Sequence, residues 1–190
     1  MKKYITILYV VLLASCAKES PIEGLMATNP AVATVHAEIP SGSNKTIAVT
    51  VNGETLNLDV TNTNTTANGI ETRHCTVTMQ TNTGIFPIGA NSAYLRTMSA
   101  GTEISASVFE HPSYSGTLFW ATRGVNTNTY SYLNTNGIHF GDSYYVPLKI
   151  KPTGNPDAPI YAYVQFTVVA EKVVLDKVVY RVMGSLSVGE

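Results

Sequence analysis

KTIAVTVNGETLNLDV, residues 45–60, decides the fold class. Ile47, Val49 and Val51 alternate with small or polar residues before Asn52-Gly53, and Leu56, Leu58 and Val60 alternate after it. A period of two is that of a strand with one buried face. Asn-Gly tolerates positive φ at both central positions of a two-residue hairpin turn. The stretch predicts two antiparallel strands joined by a tight turn.

The same pattern continues outward. Short β-prone runs at 31–39, 71–79, 102–109, 116–122, 144–151 and 159–170 are separated by Gly, Asn and Pro. Strands spaced by turn signals about every ten residues point to an all-β sandwich or barrel. The expectation is an antiparallel β-sandwich, immunoglobulin-like or related. Pro147, inside one of these runs, suggests a sheet edge or a bulge. Near the end, apolar pairs at 174–175, 178–179 and 182–183 recur at helical spacing, yet most are valine, whose stiff χ1 favours strands. A strand is expected there, with a short C-terminal amphipathic helix as the alternative. Three Thr/Asn tracts, 61–69, 80–84 and 125–137, read as polar loops. Charged residues make up 13% of the chain, against about 25% in typical domains, so Thr and Asn supply the solubility.

The start has a different layout. Lys2 and Lys3 precede an apolar run from Ile5 to Ala14, which ends at small residues and Cys16. That is the arrangement of a secretory signal peptide, and the run is shorter than the ~20 residues needed to span a bilayer. Leu13-Ala14-Ser15-Cys16 resembles the lipobox of bacterial lipoproteins. The resemblance implies that residues 1–15 are removed and that Cys16 becomes the acylated first residue, with palmitate-type chains holding the protein to a membrane. Each buried methylene contributes about 0.8 kcal/mol, so several chains anchor firmly. Ala17 stands where, by the same resemblance, an aspartate would signal inner-membrane retention, so the outer membrane is expected. Residues 16–30 are then a lipidated flexible tether, and 31–190 a single domain.

Charge and cysteine usage exclude some classes of function. Loss of Lys2 and Lys3 leaves 10 of the 12 basic residues against 13 acidic ones. No basic cluster suits nucleic acid. With Cys16 lipidated, Cys75 is alone; it can form neither an intramolecular disulfide nor a thiolate metal site, and it reads as a small buried apolar side chain. His36, His74, His111 and His139 are scattered, and no chelating pair, nucleophile elbow, calcium loop or phosphate-binding glycine loop is present. No catalytic residue, metal or cofactor is expected.

The one local excess is aromatic: Tyr114, Phe119, Trp120, Tyr130, Tyr132, Phe140, Tyr144 and Tyr145. Large rings with polar tips lose little entropy on binding and serve recognition surfaces. Trp120, beside Phe119 in a strand, reads first as core. Tyr130 and Tyr132 alternate on one strand face between Asn-Thr segments and read as exposed contacts. The three are the candidate binding residues. Composition and strand pattern over 31–170 also resemble bacterial fimbrial subunits. That resemblance implies a non-enzymatic envelope lipoprotein mediating protein contact or adhesion, as a component associated with a surface appendage. A carbohydrate-binding surface lipoprotein, or a structural lipoprotein of a secretion or conjugation machine, are the alternatives.

Overall fold

The computed structural model describes residues 30–80, 83–90, 92–133, 137–182 and 186–189. The expected signal peptide, Cys16 and all of the expected tether but residue 30 lie outside them. In chain order the strands are β1 (Ala31–Pro40), β2 (Ser43–Val51), β3 (Glu54–Ala67), β4 (Ile70–Met79), β5 (Gly84–Pro87), β6 (Glu103–Ile104), β7 (Pro112–Ser113), β8 (Ser115–Gly124), β9 (Ser131–Tyr132), β10 (Ser143–Ile150), β11 (Ile160–Val168), β12 (Lys172–Arg181) and β13 (Leu186–Ser187). A six-stranded sheet has the order β1-β12-β11-β10-β5-β7, and a five-stranded sheet the order β2-β3-β4-β8-β9. Ile39, Val146, Leu148, Val164 and Phe166 from the first sheet share one core with Val49, Leu56, Leu58, Val77 and Phe119 from the second. The fold is a β-sandwich.

The 45–60 stretch forms the expected hairpin. Val51 pairs with Glu54, and both turn residues have positive φ, 49° at Asn52 and 83° at Gly53. Asn68 and Gly69 repeat that geometry between β3 and β4, with φ of 52° and 76° and Ala67 opposite Ile70. The 61–69 tract is therefore no loop. Thr61 to Ala67 continue β3, because Thr is β-branched and fits a pleated surface even where its neighbours are polar.

The six-stranded sheet is covered on both faces. On the side away from the five-stranded sheet, Tyr163 and Val179 pack with Ile85, Ile104, Val108, Phe109, Leu186 and Val188. A cap made of the β6–β13 pair and the 3-10 turn Ala106–Phe109 supplies most of this second core. The 102–109 run, expected as one strand, is thus a two-residue strand followed by that turn.

Double-sided burial also explains the C-terminal pattern. No helix forms over 172–181; β12 pairs with β1 on one side and β11 on the other. Val173 and Leu175 face the inter-sheet core, and Asp176 is skipped in both ladders. After that bulge Val178 faces the same core, while Val179 faces the cap. One extra residue shifts the alternation of a strand, and burial on both faces fills it with apolar side chains. Together they imitate helical spacing.

Pro147 stands within the six-stranded sheet rather than on an edge strand, and its pairing with Tyr163 shows no bulge. Its missing N–H is accommodated because the ladder from β10 to β5 contains only Lys149–Ile85 and Ile150–Gly84. β10 is locally an edge at that position.

Candidate binding face

The sequence candidates fall on two sides of the five-stranded sheet. β9 pairs with β8 through Ala121–Tyr132 and Thr122–Ser131. Ala121 is buried, so Tyr132, its partner on the same face, points inward. Tyr130 shares that face. Both are half-buried against the main core rather than presented to solvent.

They form a polar-aromatic plug at this end of the sandwich. Phe140 sits edge-on to Phe119, Tyr130 and Tyr132, with ring centroids 5.4, 4.8 and 5.6 Å away. Tyr132 stacks on His139 at 4.6 Å, and its hydroxyl accepts the Phe140 N–H at 3.0 Å. Tyr130 donates its hydroxyl to Glu71 Oε1 at 3.0 Å, while Arg123 Nε donates to Glu71 Oε2 at 2.6 Å. The Arg123 guanidinium also lies over the Tyr130 ring, 4.7 Å from its centroid. Burial pushes the Glu71 carboxyl pKa upward. Hydrogen bonds from Arg123 and Tyr130 and the charges of Arg123 and Arg73 outweigh that, and the net shift is downward.

Arg73 lies deeper, only 2% exposed. Its Nη2 donates to Asn62 Oδ1 at 3.2 Å, its Nε has no partner, and its guanidinium sits 5.6 Å from the Phe140 ring centroid. Asn62, fully buried on β3, donates its own amide to the Ile39 carbonyl of β1 at 3.0 Å. It thereby ties the two sheets together. These residues build the sandwich end; sequence reasoning placed Asn62 in a loop and did not single out Arg73.

Trp120 does the opposite of what its neighbour suggests. Successive strand residues face opposite sides, and Phe119 and Ala121 are both buried. Trp120 therefore points outward and is 40% exposed. It stands in a row across the sheet. His74 is opposite it on β4, its ring centroid 5.0 Å away, and Leu133 donates its N–H to the Trp120 carbonyl from the β9 side. Thr63 pairs with His74 from β3. His74 Nε2 lies 3.2 Å from Thr117 Oγ1, and burial pushes its pKa down, so the imidazole is neutral at pH 7.

The flanking rows are almost entirely hydroxyl-bearing. Thr65, Thr72, Thr122 and Ser131 are successive cross-strand neighbours on one side of the tryptophan row. On the other side Thr61, Thr76 and Thr117 form the next row, and Asp59, Thr78 and Ser115 the one after. Around Asp59, Thr46 and Gln80 donate to the carboxylate, and Thr78 and Ser115 bond each other at 2.8 Å. The four hydroxyls of the 65–72–122–131 row have no hydrogen-bond partner among the described residues. Alternating Thr in 61–65 and 76–78 was the available signal for this face, obscured because only apolar alternation was counted.

Cys75, expected as a buried apolar side chain, is fully buried, and burial pushes its thiol up to about 12. Among the described residues no group of three or more His, Cys, Asp or Glu side chains is placed to hold a metal ion. No protein-family model, curated protein or solved structure matches the chain.

Proposed function

We propose that this chain is a non-enzymatic cell-envelope lipoprotein, acylated at Cys16 and held at the outer membrane, whose sandwich makes adhesive contact through the outer face of the five-stranded sheet. One observation carries the contact: Trp120 stands exposed on a sheet face made mostly of hydroxyl-bearing residues, flanked by His74 and Leu133. An indole 40% exposed on a rigid strand forgoes part of the roughly 1.5–3 kcal/mol that full burial of a large side chain contributes, and a partner that covers it recovers that part. The other sheet has no comparable face, since its far side is capped by the second core. The anchor rests on the Leu13-Ala14-Ser15-Cys16 stretch.

Two variants in cells test the two halves. Cys16→Ser is expected to leave the membrane fraction and lose its acyl mass. Trp120→Ala is expected to stay in the membrane fraction while attachment to the target surface falls. Attachment equal to that of the parent protein in Trp120→Ala removes the face from the proposal, and an unacylated native protein removes the anchor.

Protein contact through a sheet edge is the second reading, in keeping with an appendage-associated subunit. It is favoured by β1, which among the described residues pairs only with β12 and leaves Val32 52% exposed. A Val32→Lys variant defective in assembly, with Trp120→Ala normal, selects this reading.

A further inference from the structure

We infer that the outer face of the five-stranded sheet is a glycan platform: the Trp120 indole stacks on the apolar side of an uncharged sugar ring, and the Thr65–Thr72–Thr122–Ser131 row hydrogen-bonds the hydroxyls of the same chain. The inference rests on the contact reading above and names its ligand class.

The face sorts its partners by charge. Its outward strand positions on β2, β3, β4, β8 and β9 are Thr, Ser, Asn, Ala, Ile70, Leu133, Trp120, His74 and a single acid, Asp59. Asp59 is already bonded to Thr46 and Gln80 and lies three rows away from the free hydroxyls. No Lys or Arg stands on these outward positions to hold a phosphate, sulfate or uronate, and none is free to pair with an acidic peptide. A neutral ligand is the one such a face complements.

It also sorts them by the kind of area offered. A stable protein interface buries about 800 Å² per partner around an apolar centre. Here the large exposed apolar side chains are Ile70, Trp120 and Leu133, surrounded by hydroxyls. A sugar ring needs less. Its C–H side packs on one aromatic ring, and its hydroxyls, each donor and acceptor, match Thr and Ser hydroxyls that are also both. Neighbouring strands are about 4.8 Å apart, so the four free hydroxyls form a line of evenly spaced groups spanning more than one sugar residue. Free hydroxyls already solvated on the surface gain only if a ligand replaces water with equal hydrogen bonds, which a polyol does. The pairing Trp120–His74 holds the indole in one orientation before any ligand arrives.

Trp120 is the only tryptophan in the chain, so tryptophan emission reports the surroundings of this side chain. The experiment uses the mature lipoprotein in detergent, with hydroxyethylcellulose, xyloglucan and galactomannan as neutral probes and polygalacturonate as the anionic one. At least one neutral polymer is expected to retard the protein in affinity electrophoresis and blue-shift its tryptophan emission, with no effect of polygalacturonate. Thr72→Val and Thr122→Val, which keep shape and strand preference, are expected to weaken that binding about threefold to tenfold each, with unchanged melting. Trp120→Ala is expected to abolish it. Failure of all three neutral polymers to retard the protein or shift its emission overturns the glycan assignment. So does retardation that survives both threonine variants and Trp120→Ala. In cells the two readings separate: if attachment depends on Trp120 but survives periodate cleavage of vicinal diols on the target surface, the contact proposal stands and the glycan inference falls.

Discussion

Asn62→Leu is the sharpest test of how the sandwich is held together. Asn62 is fully buried, accepts from Arg73 Nη2 and donates to the Ile39 carbonyl across the sheets. Leucine keeps the branch point at Cγ, with bulkier ends, but supplies no acceptor, so the guanidinium, 2% exposed, is left without a side-chain hydrogen bond. A hydrogen bond to a charged group contributes about 1.5–3 kcal/mol, and one between neutral groups about 1. Stranding a buried charge costs about 3–5 kcal/mol in comparable cases. The expected loss is about 3–5 kcal/mol from a total of roughly 5–15. At 2–4 °C per kcal/mol for a domain of this size, the melting point falls by roughly 6–20 °C. The second arm is Arg73→Met in the same background. Removing both partners restores an apolar interior, and replacement of a buried polar pair by apolar residues is often neutral, so at least half of the loss should return. The assay is denaturant unfolding of parent, single and double variants at unchanged m value. A loss below about 1 kcal/mol in Asn62→Leu, or a double variant as unstable as the two losses added, refutes the clamp.

Gly53→Val places a β-branched residue at φ 83° and should cost about 1–3 kcal/mol, read as a lower denaturant midpoint; no shift refutes the turn type. Cys75, its thiol pushed up to about 12, should resist maleimide in the folded protein at neutral pH and react once unfolded; rapid labelling of the native form, read by intact mass, contradicts its burial. Glu71 has a folded-state pKa below the ordinary carboxylate range, so its stabilisation is present at neutral pH and disappears as pH falls through that lowered value. Glu71→Gln should therefore melt below the parent at neutral pH and approach it in acid; parallel melting curves across the range exclude the Arg123–Glu71–Tyr130 cluster as the source.

The hairpin at 45–60 was legible because one-sided burial writes itself as alternation, and Asn-Gly permits few other geometries. β12 was harder to read. Burial on both faces erases alternation, and the bulge at Asp176 resets what remains, so a strand and a helix share one pattern until its neighbours are known. The candidate face divides similarly. That Tyr130 and Tyr132 share a side followed from their spacing; which side they share depends on the pairing of Tyr132 with Ala121, a tertiary fact. Trp120 and Phe119 face opposite sides of a regular strand, but which is outward is set by the register against Cys75 and His74. Asn62 and Arg73 are polar residues in an interior, and no local pattern marks a polar residue whose partner arrives from another strand.

β1 opens the described chain, yet its ladder is with β12: Ala31 lies opposite Tyr180 and Pro40 opposite Lys172. β2, β3, β4 and β8, by contrast, pair in sequence order. Loop closure must precede the reward of a distant contact, and it weighs on folding speed. The five-stranded sheet therefore has a local meander from which to nucleate, while the first described strand waits for almost the last. Until β12 arrives, β1 and β11 both present unpaired edges, the condition that invites association with the wrong chain. A chain made from its N-terminus is thus exposed on a strand it delivers early. Its safe assembly depends on the prompt arrival of β12.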